Sequence, residues 1–357
     1  MMNPHEVIRR HCCSDKFMGA MMNGMLRAYN LIWWDHTNDL EVLSVEKTYW
    51  CPLYNLDTNR RSRKFVLSGK LDKVVREGDK IVLYDHKTTS SKIGSDSDYW
   101  RVLQIEGQPK QYEILLRANG IEVDRIVWDV ARKPQIRPKR IAHAARASVL
   151  ERGKYFEIEM SDETIEDLRT MHLEDENPEM FEARVFTTVH RDPTEYFARR
   201  SIPSLKDDLY THNQNMWDLS GNIATARKRH DAHGRHTYNA GACFQYGTAC
   251  SYLGICEGSD SPESGNWARG EVHPELDVDE IDSDKEVLTN SRLKCFQTCQ
   301  RKHHFRYELG LEKHSAKDSD ALFFGTVWHH VMDAYWAEVS GFQLEGGDSN
   351  GNRNEMA

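Results

Sequence analysis

The stretch GKLDKVVREGDKIVLYDHKTT, residues 69–89, constrains the fold more than any other part of the chain. Apolar Leu, Val, Ile and Tyr recur on either side of the turn REGD, the pattern of two strands closing as a hairpin at Glu77 and Lys80. Side chains in a strand alternate faces, so Asp85 and Lys87 share one face and His86 takes the other. The same closure brings Asp72 close to Asp85 on the partner strand. Two adjoining carboxylates repel unless a cation lies between them, which points to a divalent ion with oxygen ligands, Mg²⁺ or Mn²⁺. Such an ion activates water and offsets charge on a phosphoryl oxygen, and Lys87 is placed to orient that water or to stabilise the developing charge. A surface hairpin carrying an ordinary i, i+2 ion pair would have the same residues.

The flanking segments predict a mixed α/β architecture. Residues 5–36 have helical character ending near Thr37, EVLSVEKTYWCPL and KFVLSGKLDKVV alternate as strands, and KIVLYDHKTT completes the hairpin. Consecutive strands pair most simply antiparallel. Residues 99–120 have helical spacing, with Leu103, Tyr112, Leu115 and Leu116 as core positions and Gly120 as the stop, and VDRIVWDVAR is a further strand. The expected fold is a mixed central sheet flanked by helices.

GKLD followed by YDHKT resembles the catalytic core of the PD-(D/E)xK nuclease superfamily, in its RecB-like, phage-type exonuclease branch, with a restriction-endonuclease-like core. That branch adds a Gln-x-x-x-Tyr element on the next helix, matched here by Gln108 and Tyr112, which a one-turn separation places on one face. A Gly-x-x-x-His helix whose histidine resembles a metal ligand is matched by Gly325 and His329; the spacing selects His329 over His330. The resemblance implies an iron–sulfur cluster held by a cysteine trio, Cys243, Cys250 and Cys256, and a lone cysteine, Cys299, with Cys295 as its substitute. Four thiolates suit a 4Fe–4S cluster or zinc equally. Cys12, Cys13 and Cys51 are left as core or surface thiols. The resemblance further implies that Asp72, Asp85 and His329 bind the metal, with the His86 backbone carbonyl contributing, and that Glu46 on the preceding strand orients the attacking water. Glu46 also fits an exposed strand position.

The motif order is unusual. The family places the lone cysteine and the histidine helix first, whereas here they follow the trio, a cyclic rotation in which each element occurs once. The expected organisation is a nuclease core over 1–256, a solvated acidic linker over 257–286, a segment over 287–341 that docks back on the core, and a frayed tail over 342–357. A site depends on where side chains meet rather than on their order, so the rotation is physically tolerable.

The formal net charge of -9 argues against a protein that coats polyanions generally, while leaving room for a local basic groove. Arg132, Lys133, Arg137, Lys139 and Arg140 form one basic run, and Arg301, Lys302 and Arg306 mix with His, Phe and Tyr in another. Such mixtures suit phosphate tracking and base stacking, though charge runs are more often solvated faces. The chain shows neither a long apolar run nor the apolar centre of a signal peptide, so no membrane association is expected and the location is read as cytoplasmic, the host cytoplasm for a phage-encoded chain. The expected activity is DNA hydrolysis in repair or recombination, on single strands or duplex ends, with a helicase or recombinase as a partner. The rivals are an inactive DNA-binding scaffold that keeps an iron–sulfur or zinc centre, and a zinc-stapled interaction protein.

Overall fold

The computed structural model describes residues 3–170, 173–202, 206–245, 247–277, 281, 284–314 and 320–344. Two helices open the chain, α1 (Pro4–His11) and α2 (Lys16–Asn38), each with an N-cap side chain, Asn3 and Asp15, accepting a first-turn N–H. Three long strands follow, β1 (Leu40–Asn55), β2 (Arg60–Glu77) and β3 (Lys80–Thr89). They pair antiparallel in sequence order as expected, and Glu77 faces Lys80 across a turn in which Gly78 takes φ +62°. The helical stretch 99–120 is two helices, α3 (Asp98–Gln104) and α4 (Gln108–Ala118), interrupted by Ile105, Glu106 and Gly107, with Pro109 in the first turn of the second. They form the crossover that lets β4 (Arg125–Arg132) pair parallel with β3. Strand Phe197–Ile202 closes the row antiparallel to β4, and Glu286–Leu288 joins β2 in parallel. The result is an α/β fold with a mixed six-stranded sheet.

Helices cover both faces, so the strands carry apolar residues on both sides. On one face α1, α2, Pro178–Arg191 and the C-terminal helix Asp320–Leu344 pack on Val75, Val82, Tyr84 and Val127. On the other, α4, the long helix Lys206–His233 and Asn290–Thr298 pack on Leu67, Leu71, Val74, Leu83 and Ile126. Within the described residues, no helix is long and apolar enough to cross a membrane.

The stretch 257–286, read from its composition as a solvated linker, differs from that expectation in its described part. Trp267–Arg269 pairs antiparallel with Leu311–Lys313, Trp267 stacks on Tyr252 at 5.1 Å, and Leu276 and Ile281 are buried against Val66. A few apolar side chains suffice to pin the segment, and a polar, acidic average hides them. The tail expected to fray keeps helix to Leu344; residues 345–357 lie outside the described residues.

One core position carries a measurable penalty. Lys73 is fully buried, its Nζ 3.1 Å from the Trp336 ring centroid and 4.2 Å from that of Tyr84, without a hydrogen-bond partner among the described residues. Burial, reinforced by the Arg199 charge, holds its pKa well below the usual lysine range. Lys73→Met keeps the volume and removes the unpaired amine, so we expect a gain of about 1–3 kcal/mol, read as a higher urea midpoint at unchanged slope.

Candidate active site

The site forms where the sheet opens. Beyond its pairing with β1, β2 meets Glu286–Leu288 at Phe65–Leu67 and β3 at Lys73–Glu77, and neither strand pairs with residues 68–72. Gln111 bridges one end of this opening, its Nε2 donating to the carbonyls of Ser68 (3.1 Å) and Leu288 (3.2 Å). At the other end β3 parts from β2 after Tyr84 and continues beside β4 as far as Thr89. Asp85 and Lys87 stand on that parted section and Asp72 on the opposite limb, so a fork in the sheet replaces ladder pairing with side chains.

The side chains in the fork are tightly connected. Asp85 is buried; its Oδ2 forms an ion pair with Lys87 Nζ, while Oδ1 has no hydrogen-bond partner among the described residues. Lys87 Nζ donates to Gln108 Oε1 at 2.9 Å, and Gln108 Nε2 donates to the Tyr112 hydroxyl at 2.7 Å. Asp72 Oδ2 accepts the His86 N–H at 2.6 Å. Burial raises both carboxyls from the usual 3.8 to about 6; Lys87 opposes this at both, while the Glu46 charge adds to it at Asp72 and the Asp72 charge adds to it at Asp85. Burial works against the Lys87 ammonium, yet Asp85 and Asp72 outweigh it and hold the pKa above the usual lysine value. Close packing sets α4 here: a Cβ at Gly69, the glycine of GKLD, would lie 2.8 Å from Tyr112 Cε1.

Glu46 lies between the paired positions Val45–Lys73 and Lys47–Leu71, hence opposite Asp72. Its backbone has φ +49°, a left-handed conformation that a non-glycine residue holds at a cost of about 1 kcal/mol or more. Its carboxylate pairs with Lys70 Nζ at 2.7 Å. Asp333, absent from the sequence reading, joins this group: burial, followed by the charge of Glu46 and a hydrogen bond to it, pushes the Asp333 pKa far up, so its carboxyl keeps a proton. The i+4 spacing from His329 puts Asp333 on the same helical face and was the available signal.

His329 sits close enough to Lys87, Asp85 and Glu46 for their charges to act on it, and burial followed by Lys87 lowers its pKa, which leaves a neutral imidazole. His330 instead stacks on His11 at 4.9 Å. The glycine one turn before His329 has a steric reason: a Cβ on Gly325 would stand 2.8 Å from Thr88 Oγ1 on β3. Gly325→Ala should therefore push the helix off β3 and carry His329 away, lowering turnover by about 10- to 100-fold. An unchanged far-ultraviolet circular dichroism spectrum would separate displacement from unfolding.

The His86 side chain points to the opposite face, as alternation predicts. Its Nδ1 lies 3.5 Å from Asp129 Oδ2, which also accepts the Tyr29 hydroxyl at 2.5 Å and Arg199 Nε at 3.2 Å. This buried network, not foreseen from sequence, anchors β3 from behind, so the backbone N–H of His86 is held where Asp72 uses it.

Away from the fork, Cys243, Cys250, Cys256 and Cys299 line one cavity of about 270 Å³, together with Arg301 and Lys302. Cys295 is not among the lining residues, and burial pushes its thiol up to about 11. Cys12 and Cys51 are buried and Cys13 is exposed. In the first basic run, Arg132 pairs with Glu195 at 3.0 Å, Arg140 pairs with Glu174, and Lys133 Nζ donates to the Asp320 carbonyl at 3.0 Å. Arg132 is the register partner of Thr89, so this run begins beside the end of β3. In the second, Arg301 lies over Tyr238 at 4.9 Å and Arg306 over Tyr307 at 5.4 Å.

A family model described as the PD-(D/E)XK nuclease superfamily matches residues 7–257 and 287–354. No curated protein and no solved structure matches the chain.

Proposed function

Because the chain belongs to the PD-(D/E)XK nuclease superfamily, we propose that it is a metal-dependent deoxyribonuclease that hydrolyses phosphodiesters at the fork between β2 and β3. The observation that carries this reading is the buried Asp85 Oδ1, unpartnered among the described residues and beside Asp72. A carboxylate oxygen in that position is costly unless a cation completes it. The donor set fits Mg²⁺ or Mn²⁺: Asp72 and Asp85 supply hard oxygens, His329 a neutral nitrogen, and the His86 carbonyl a further oxygen. A divalent ion held there would make water a better nucleophile and offset charge on the phosphoryl group.

The chain's own residues supply the rest. Lys87, tethered through Gln108 and Tyr112, presents a fixed positive charge to a non-bridging phosphate oxygen as negative charge develops. Glu46, hydrogen-bonded by protonated Asp333, orients the attacking water and takes up its proton. The basic run beginning at Arg132 supports a strand path leading away from the fork, with Lys133 and Arg137 as phosphate contacts.

We read the enzyme as an exonuclease of recombination or repair with its motifs in cyclically rotated order. The packing of the C-terminal helix against β1, β3 and α1 supports that reading. The cysteine cavity is read as the seat of a 4Fe–4S cluster, supported by four thiols and two cationic neighbours around one space. An absorbance shoulder from sulfur-to-iron charge transfer in anaerobically purified protein is expected there, whereas a zinc-only preparation would be colourless. The function is tested by incubating end-labelled single-stranded, duplex and circular DNA with Mg²⁺ or Mn²⁺. Progressive shortening of linear substrates only is expected. Cutting of circles would make the enzyme an endonuclease, and intact DNA throughout would leave a catalytically inactive scaffold.

A further inference from the structure

A second cluster of metal-ligating side chains lies outside both the fork and the cysteine cavity. His230 stands in the last turn of the helix Lys206–His233, His236 follows just beyond Gly234, and His304 belongs to the helical turn His304–Glu308 that follows Cys299. Their ring centroids are 4.5 Å (230 to 236), 4.6 Å (230 to 304) and 4.2 Å (236 to 304) apart, and one ligand nitrogen from each falls within 4.8 Å of the other two. His236 is 9% exposed, and neither of its ring nitrogens has a hydrogen-bond partner among the described residues.

A buried imidazole with both nitrogens unsatisfied costs about 1–3 kcal/mol per lost hydrogen bond. Three imidazoles, two from the end of the long helix and the turn just after it and one from a segment remote in sequence, with no carboxylate in the group, form a borderline-soft donor set that disfavours Mg²⁺ and Ca²⁺ and favours Zn²⁺. We propose that His230, His236 and His304 bind one Zn²⁺ ion, a structural site separate from the nuclease metal. Zinc–nitrogen bonds of about 2.0–2.1 Å require the rings, of which His230 and His236 stack at an interplanar angle of 12°, to turn so that one nitrogen of each points inward. The ion ties the end of the long helix to the segment that carries Cys299. That junction is otherwise held by backbone and side-chain contacts such as Arg301 N–H to the Thr237 carbonyl at 3.1 Å and Asn239 Nδ2 to the Thr298 carbonyl at 3.0 Å. It thereby fixes the lone cysteine relative to the trio without touching either.

The test uses the full chain after removal of metals by chelation. Titration with Co²⁺ as a spectroscopic substitute is expected to give d–d bands without thiolate charge transfer for one equivalent. Zn²⁺ should then raise the melting temperature and slow hydrogen exchange at the Arg301 amide. His236→Ala should bind that equivalent at least about 10-fold more weakly and lose the zinc-dependent rise. His230→Ala, at a half-buried position, gives the same readout if His236→Ala does not fold. Cobalt spectra showing only thiolate ligation, or a folded histidine variant with unchanged stoichiometry and unchanged zinc stabilisation, would overturn the site.

Discussion

Lys87→Ala should lower the rate of DNA cleavage by about 10²- to 10³-fold, the range seen when one preorganised electrostatic group is removed from developing charge. It should also change stability in a diagnostic way. With Lys87 gone, the two carboxylates lose the largest of the positive charges that offset their burial, so the metal-free variant should melt lower than the parent at neutral pH. Added Mg²⁺ should recover most of that loss. The decisive measurement pairs single-turnover cleavage with melting curves taken with and without Mg²⁺. Full activity in the variant would remove Lys87 from the chemistry, and a melting temperature indifferent to Mg²⁺ would remove the ion from the fork.

The second large effect is on pH dependence. Both fork carboxyls sit at about 6 instead of 3.8 in the absence of an ion, because burial disfavours their charged forms. The folded chain therefore holds protons that the unfolded chain has released, and the metal-free protein loses stability as pH rises from about 4 to about 6, with no further change from this pair above that range. Metal binding runs the other way, since both protons must leave. The apparent Mg²⁺ affinity should rise by up to about 100-fold per pH unit below about 6 and flatten above about 7. Calorimetry in buffers of different ionisation enthalpy would count the protons released. A flat affinity between about pH 5 and 7 would mean that Asp72 and Asp85 do not hold the ion together.

Much of this site is legible from local pattern. Alternation around REGD places Asp85 and Lys87 on one face and His86 on the other, and one-turn spacing aligns Gln108 with Tyr112. Those relations hold within a single strand or helix, where backbone geometry alone dictates which side chains are neighbours. Asp333 escaped because its significance depends on Glu46, which is remote in sequence and meets it only when the C-terminal helix lies against β1. The described part of 257–286 departs from its compositional reading for a related reason, since Trp267 and Leu276 become core residues only once Tyr252 and Val66 are beside them.

Local pattern suffices for the hairpin, the mixed sheet, the charged residues at its mouth and the family they belong to. Periodicity, turn chemistry and motif spacing are properties of neighbouring residues, so they survive in one dimension. Long-range packing alone sets the parting of β3 from β2 that opens the fork, the place of Glu46 opposite Asp72, the cavity that Cys299 shares with the cysteine trio, and the convergence of three histidines. Each of those depends on how helices seat against the sheet, a choice made by packing between segments far apart in the chain, such as the close approach of Gly325 to Thr88.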